Sequence, residues 1–99
     1  MPFEMLVGLH VVDRGLYQEY RSALRPLLEA AEGGFRYDFE VSAALRTEAP
    51  HPITRLFAIY FRDRAARDAL FADPRYLDAK KRFFARSVRG TTVLAEYER

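Results

Sequence analysis

The clearest pattern along the chain is an alternation of apolar and polar residues between positions 35 and 45. Every odd position from Phe35 to Leu45 is apolar, whereas all but one of the even positions between them are polar or charged. A period of two places successive side chains on opposite faces of a β-strand. The pattern therefore predicts a strand over 35–45 with one apolar face and one polar face. Two prolines in the segment 47–52 predict that a turn follows it.

Two other segments are apolar in almost every position, and a fourth strand is predicted near the end of the chain. The apolar segments are Met5–Val12 and Ile53–Phe61. Short continuous apolar runs are typical of strands that are buried on both faces. The fourth strand is expected over Thr91–Tyr97, directly after Gly90.

The first helix is predicted over residues 14–32, where apolar side chains recur three and four positions apart. Asp13 is expected to cap its beginning, because an aspartate side chain accepts hydrogen bonds from the free N–H groups of the first turn. Gly33 and Gly34 are expected to end it, because glycine adopts the left-handed conformation without a steric penalty.

The second helix is predicted from Asp63 to about Val88, with a restart at Asp73-Pro74. The order of elements is then β-α-β-β-α-β within a single domain, 1–99. This order predicts an α+β, ferredoxin-like fold with a four-stranded antiparallel sheet and two helices on one face. Because two strands are apolar on both sides, the uncovered face also needs burial, and a homodimer is the expected way to provide it.

Composition narrows the classes of function. The 99 residues include no Cys, which excludes disulfides, thiolate chemistry and cysteine-based metal sites. The net charge is only +2 and acidic residues are interspersed among the basic ones, so no nucleic-acid partner is expected. The segment Arg55–Phe61 also lacks the glycine of an RNA-recognition motif. Neither a signal peptide nor a membrane-spanning run is visible, so we expect a cytoplasmic protein without a membrane partner.

Three segments of the chain resemble a known family. The string YQEYRSALRPLLEAAEGGF, from Tyr17 to Phe35, is similar to the first helix and Gly-Gly turn of domain-of-unknown-function family 1330. PITRLFAIYF, from Pro52 to Phe61, resembles the family's third strand, and DPRYLDAK, from Asp73 to Lys80, resembles the restart of its second helix. The chain departs from the family after the third strand, where Arg62-Asp63 stands in place of a frequent Pro-Ser.

This resemblance implies the dimeric α/β-barrel superfamily, in which two ferredoxin-like subunits pack sheet to sheet. Relatives in that superfamily include cofactor-free monooxygenases, muconolactone isomerases and haem-binding dismutases. The family itself has no agreed reaction, so the resemblance supports a fold and leaves the function open. The sequence contains no phosphate-binding loop and no metal-ligand motif, and neither a cofactor nor a metal is expected.

Three residues are candidates for catalysis. Lys80 shares the apolar side of the second helix, where its amine either reaches the edge of the protein or faces an anionic ligand. His10 lies among apolar residues of the first strand, either as a core or interface side chain or as a general base. Asp38 lies beside Glu40 on the polar face of 35–45, where the carboxylates either make ion pairs or act as an acid/base pair or metal ligands. In an enzyme we expect His10 and Lys80 to converge on one cavity.

Four further residues are candidates for ligand binding. Arg55, at the entry of the third strand, either binds a carboxylate through both arms of its guanidinium or pairs with Asp38 or Glu40. Tyrosine hydroxyls are expected to point into a pocket from Tyr37, Tyr60 and Tyr76. His51 lies between two prolines and is expected to be exposed.

Two hypotheses for function follow from these residues. The first is a small dimeric protein that binds or transforms a small aromatic or carboxylic compound without a cofactor. The alternative is a non-catalytic ligand-binding or interaction module with the same fold. Convergence of titratable groups on a cavity distinguishes the two.

Overall fold

One antiparallel sheet organises the protein. The computed structural model describes residues 1–99, and its strands are β1 (Phe3–Val11), β2 (Gly34–Glu40), β3 (Arg55–Phe61) and β4 (Val88–Glu98). They are arranged in the order β2-β3-β1-β4, so β1 and β3 lie in the centre of the sheet and β2 and β4 lie at its edges. This architecture confirms the predicted α+β, ferredoxin-like fold.

The helices cover one face of this sheet. They are α1 (Arg14–Ala30), α2 (Arg64–Ala72), α3 (Pro74–Ala79) and the short α4 (Ala85–Ser87), with a π-helical turn, Lys80–Phe84, between the last two. None of these helices combines the length and the apolar character that crossing a membrane would need.

Aspartate caps begin the three longer helices, as the sequence predicts. Asp13 Oδ1 accepts a hydrogen bond from the Leu16 N–H at 3.0 Å, and Asp63 Oδ1 accepts one from the Ala66 N–H at 2.8 Å. Asp73 accepts one from the Arg75 N–H at 2.8 Å, directly before the proline that opens α3. Each carboxylate satisfies an N–H group that has no partner within the helix.

The end of α1 differs from the prediction. Glu32, not a glycine, takes the left-handed conformation, with φ of 56°. Gly33 is needed there for another reason, since a Cβ at this position would lie 2.4 Å from the carbonyl oxygen of Tyr60 and 2.8 Å from the Leu28 side chain. The glycine therefore permits the close approach of the chain to β3.

The strand predicted over 35–45 is shorter and is interrupted by a bulge. β2 ends at Glu40, and its pairing with β3 shifts between Phe35 and Tyr37, which leaves Arg36 as the extra residue. One extra residue reverses the faces of every position that follows. Phe35 therefore faces the helices, whereas Tyr37 points away from them and is 59% exposed.

The hydrophobic core lies between the helices and the sheet. β1 and β3 contribute every second side chain to it, and α1 contributes its buried stripe. The sequence predicts that β3 is buried on both faces and leaves open whether Phe57 serves an interface or the core of the subunit. In the structure Phe57 is 8% exposed and faces the helices, so it belongs to the core. The core of the subunit is made of Phe3, Met5, Val7, Leu9, Tyr17, Tyr20, Leu24, Leu28, Phe57, Ile59, Phe61, Ala66, Leu70 and Tyr76.

The segment between β2 and β3 folds onto the opposite face of the sheet, which we call the outer face. The Thr54 N–H donates to the Leu9 carbonyl at 2.8 Å, and Ile53 packs against Gly8. His51 lies on Gly90, and its Nε2 is within hydrogen-bond distance, 2.8 Å, of Thr92 Oγ1, so it is half-buried rather than exposed as predicted. Part of the outer face is thus covered by the chain itself.

Candidate functional site

A cavity of about 400 Å³ lies between the sheet and the helices, and we call it the helix–sheet cavity. It reaches from Phe35 on β2 to Thr91 and Val93 on β4, so it extends across the whole width of the sheet. Its floor is formed by inward-facing side chains of β1 and β3, and its walls by α1 and by the segment from α3 through the π-helical turn. Volumes of this order are typical of small-molecule sites.

The lining of this cavity is mostly hydrophobic, and its charged groups are all cationic. Of 16 lining residues, 13 are hydrophobic, and the other three are Arg21, Lys80 and Thr91. No carboxylate contributes to the lining. Tyrosine hydroxyls add further hydrogen-bonding capacity. The cavity can therefore hold the apolar part of a ligand and donate hydrogen bonds to its polar part.

Two buried tyrosines meet in this cavity. The Tyr20 hydroxyl donates to the Tyr76 hydroxyl at 3.2 Å, and both side chains are buried. Burial raises the pKa of Tyr20, and the neighbouring Tyr76 raises it further. Burial also raises the pKa of Tyr76, although the hydrogen bond from Tyr20 acts in the opposite direction. Both phenols are therefore neutral near neutral pH, and the Tyr76 proton is donated to no group of the protein.

Next to the cavity, two arginines share one carboxylate. Arg55 donates from Nε and Nη2 to the two carboxylate oxygens of Asp38, each at 2.8 Å. Arg21 Nη2 lies 2.8 Å from Asp38 Oδ2, but it is buried there without the geometry of a hydrogen bond. Arg21 Nε donates to the Tyr17 hydroxyl at 3.0 Å, and its guanidinium lies 3.7 Å from the centre of the Phe35 ring.

The protonation of Asp38 follows from these contacts. Burial raises the pKa of its carboxyl, but the hydrogen bonds from Arg55 and the charges of Arg55 and Arg21 more than offset this, so the pKa is lowered. The hydrogen bond to Asp38 raises the pKa of Arg55 in turn. Asp38 is thus a weak base held in an ion pair, which matches the predicted pairing with Arg55 rather than a role as a proton acceptor.

Lys80 lines the cavity at its exposed edge, at the first residue of the π-helical turn. The Ala85 N–H bonds to the Lys80 carbonyl, which is the five-residue spacing of a π-helix. The Lys80 ammonium group makes no ion pair within the chain, in contrast to Arg21 and Arg55. Tyr76 lies four residues earlier, on the same side of the helix.

His10, Tyr37 and Tyr60 do not take part in this site. Leu9 lines the cavity, and His10 follows it on β1 opposite Gly90, so its side chain points to the outer face. Tyr60 also lies on the outer face, beneath the Arg36 guanidinium at 4.2 Å. The expectation that His10 and Lys80 converge on one cavity is therefore wrong, because the two side chains lie on opposite sides of the sheet.

Sequence reasoning overlooked Tyr17, Tyr20 and Arg21. All three lie on α1 at spacings of three and four residues, which is the pattern of an apolar helix face and gives no sign of a polar site. The sequence does contain one signal of a polar site: the tyrosines at 17 and 20 are followed by an arginine at 21 on the buried side of that helix.

A second buried charge, also overlooked, lies on the outer face. Glu4 is 1% exposed and accepts hydrogen bonds from Arg36, from the Tyr97 hydroxyl at 2.8 Å and from Arg99 Nη1 at 3.1 Å. Burial raises the pKa of its carboxyl, but the three hydrogen bonds more than offset this effect, and the pKa is lowered. This cluster links β1, β2 and β4. Neither here nor anywhere else in the structure do three or more His, Asp or Glu side chains lie close enough together to hold a metal ion.

Comparison with known proteins identifies the fold. No protein-family model matches the chain, and no curated protein matches it. A protein of unknown function from Rhodopseudomonas palustris is similar in structure, with a TM-score of 0.80, 18% identity, and coverage of 99% of this chain and 82% of that one. The chain has a ferredoxin-like fold. The resemblance to family 1330 is not confirmed, because no family model matches.

Two further ferredoxin-like proteins are similar over nearly the whole chain. A dimeric ferredoxin-like protein of unknown function from Jannaschia sp. CCS1 has a TM-score of 0.62 and 22% identity, with coverage of 100% of both chains. A dabb family protein with a ferredoxin-like fold from Mesorhizobium loti has a TM-score of 0.63 and 12% identity, with coverage of 99% of this chain and 96% of that one. Sequence identities this low show a shared fold but do not show a shared function.

Proposed function

We propose that this ferredoxin-like protein is a homodimer that binds a small aromatic or carboxylic compound in its helix–sheet cavity, without a cofactor. One observation carries the proposal: the cavity is lined by 13 hydrophobic residues among 16, and its only charged groups are cations. An apolar lining with a few convergent polar groups is the usual character of a small-molecule site.

The proposed homodimer forms through the outer face of the sheet, as in the dimeric α/β barrels that the resemblance to family 1330 implies. Tyr37 and Phe39 are stacked there with ring centres 6.0 Å apart, and both are more than half exposed. Leu94 and Tyr97 are further exposed side chains, both on β4. Exposed aromatic groups of this kind favour association. The similar Jannaschia protein is described as dimeric, which supports the proposal of a homodimer.

The protonation states in the cavity favour binding over acid–base catalysis. Burial raises the pKa values of Tyr17, Tyr20 and Tyr76, so these phenols donate hydrogen bonds and do not accept protons near neutral pH. Asp38, a charged neighbour of Tyr17, is held by two arginines. We therefore take binding as the basic activity, and any reaction would depend on polarisation of the ligand by these donors.

The test is a titration of the protein with small aromatic acids and their neutral analogues, followed by amide NMR shifts. We expect shifts at residues that line the cavity and none on the outer face. Thr91→Trp fills the cavity from its exposed edge and should abolish binding, since Thr91 lines it. Glu98→Trp is the matched control, on the same strand but outside the lining. Shifts confined to the outer face, or equal binding by both variants, would contradict the proposal.

A further inference from the structure

We propose that the helix–sheet cavity selects a carboxylate, and that Tyr76 and Lys80 are the pair of residues that recognise it. The inference rests on the proposed function, because it assigns a chemical class to the ligand of that cavity. The ligand is then an organic acid whose apolar body lies on the sheet and whose carboxylate faces the last helical segment.

The hydroxyl proton of Tyr76 has no acceptor within the protein. Tyr20 donates to the Tyr76 oxygen at 3.2 Å, so Tyr20 occupies an acceptor position and leaves the Tyr76 O–H free to donate. The hydrogen bond from Tyr20 also polarises this O–H, which strengthens donation. A buried donor without an acceptor is costly, and a ligand oxygen would remove that cost.

The cations in and beside the cavity differ in whether a carboxylate already pairs with them. Arg55 is engaged at two points with Asp38, and Arg21 faces the same carboxylate and the Tyr17 hydroxyl. Lys80 is the one cation of the lining with no carboxylate beside it. It lies one helical turn after Tyr76, so an ammonium group and a phenol are available to the same anionic group.

The backbone at Lys80 departs from a regular α-helix. The π-helical turn begins at Lys80, and such turns are found frequently at functional sites because they displace the side chains that follow from regular helical positions. Phe84, the last residue of the turn, also lines the cavity and packs on Tyr20 at 4.9 Å between ring centres. The same segment thus supplies polar recognition and an apolar wall.

The experiment measures affinities for matched acids and amides by calorimetry near neutral pH. The probes are 2-naphthoate and 2-naphthamide, with benzoate and benzamide as a smaller pair. We expect the wild-type protein to bind each carboxylate about three- to tenfold more tightly than its amide, as a charge-assisted hydrogen bond predicts. Lys80→Met should weaken binding of each carboxylate more than that of its amide, and so remove most of this preference.

Two variants make the test specific. Lys81→Met is the matched control, since Lys81 is the exposed neighbour and does not line the cavity. Tyr76→Phe should weaken both members of each pair, because both carry a carbonyl oxygen. Equal affinity of the wild-type protein for acid and amide, or equal effects of the two lysine variants, would overturn the carboxylate inference and leave the cavity proposal standing. Failure of the wild-type protein to bind any of the four probes would overturn both.

Discussion

Substitution of Phe39 by lysine tests the proposed dimer at its most informative position. Phe39 lies on β2, stacks on Tyr37 and points to the outer face, where it is 52% exposed. Because it contributes little to the core of the subunit, Phe39→Lys should leave the fold intact. If the outer face is the interface, the same change removes an aromatic contact from both subunits and introduces two positive charges.

The size of the effect follows from the exposed area of the ring. A phenylalanine side chain has about 200 Å² to bury, and about half of it remains available here. At about 25 cal/mol per Å², this area corresponds to about 2.5 kcal/mol for each subunit and about 5 kcal/mol for a symmetric dimer. The dissociation constant should therefore rise by roughly three to four powers of ten.

Sedimentation equilibrium measures the dissociation constant, and circular dichroism reports whether each variant is folded. Ser22→Lys is a suitable control, because Ser22 is exposed on α1, on the other side of the sheet. Phe57→Arg should unfold the protein instead, since it places a charge in the core. A folded Phe39→Lys protein that dimerises as tightly as the wild type would refute the assignment of the outer face. A wild-type protein that stays monomeric at high concentration would refute the dimer itself.

Three further predictions concern stability and are checked by denaturant unfolding. Gly33→Ala should destabilise the protein by about 1–3 kcal/mol, because the new methyl group would overlap the Tyr60 carbonyl oxygen. Gly15→Ala should stabilise it by about 0.4–1 kcal/mol, since the nearest atom to a Cβ there is 3.7 Å away and the position is helical. Glu4→Gln should destabilise it by about 1–3 kcal/mol, because Arg36, Arg99 and the Tyr97 hydroxyl lose the charge of their buried acceptor. The pKa of Glu4 is lowered in the folded state. Its contribution to the free energy of unfolding is therefore complete above the pKa of the unfolded chain and is lost as the pH falls through the folded-state pKa. Glu4→Gln should reduce the dependence of stability on pH in this acidic range.

The elements of the fold could be predicted from the sequence because local signals agree with one another. Aspartates at 13, 63 and 73 cap helices in the structure, and the apolar segments become the two central strands. Such signals depend on a few neighbouring residues. The end of α1 did not follow its local signal, because Gly33 is required by contact with β3 and not by a left-handed backbone.

The candidate site could be predicted only in part, because it depends on which sheet face each strand residue occupies. Lys80 and Tyr76 could be identified because residues four apart lie on the same side of a helix. This spacing holds in the structure up to the start of the π-helical turn. Of the two alternatives for His10, the one that placed it in the cavity is wrong, because a strand that is apolar on both sides carries no sign of which face meets the helices. Arg21 was overlooked, since its partner Asp38 is distant in sequence.

The bulge at Arg36 links the cavity to the proposed interface. In a regular strand Phe35, Tyr37 and Phe39 would share a face, and Asp38 would point away from the helices. With the extra residue, Asp38 turns inward and occupies Arg55 and Arg21, which leaves Lys80 as the unpaired cation of the cavity. The same shift turns Tyr37 and Phe39 outward, where they form the exposed aromatic pair. Deletion of Arg36 should therefore disturb ligand selectivity and dimerisation together, whereas Phe39→Lys should affect dimerisation and Lys80→Met ligand selectivity, each without the other.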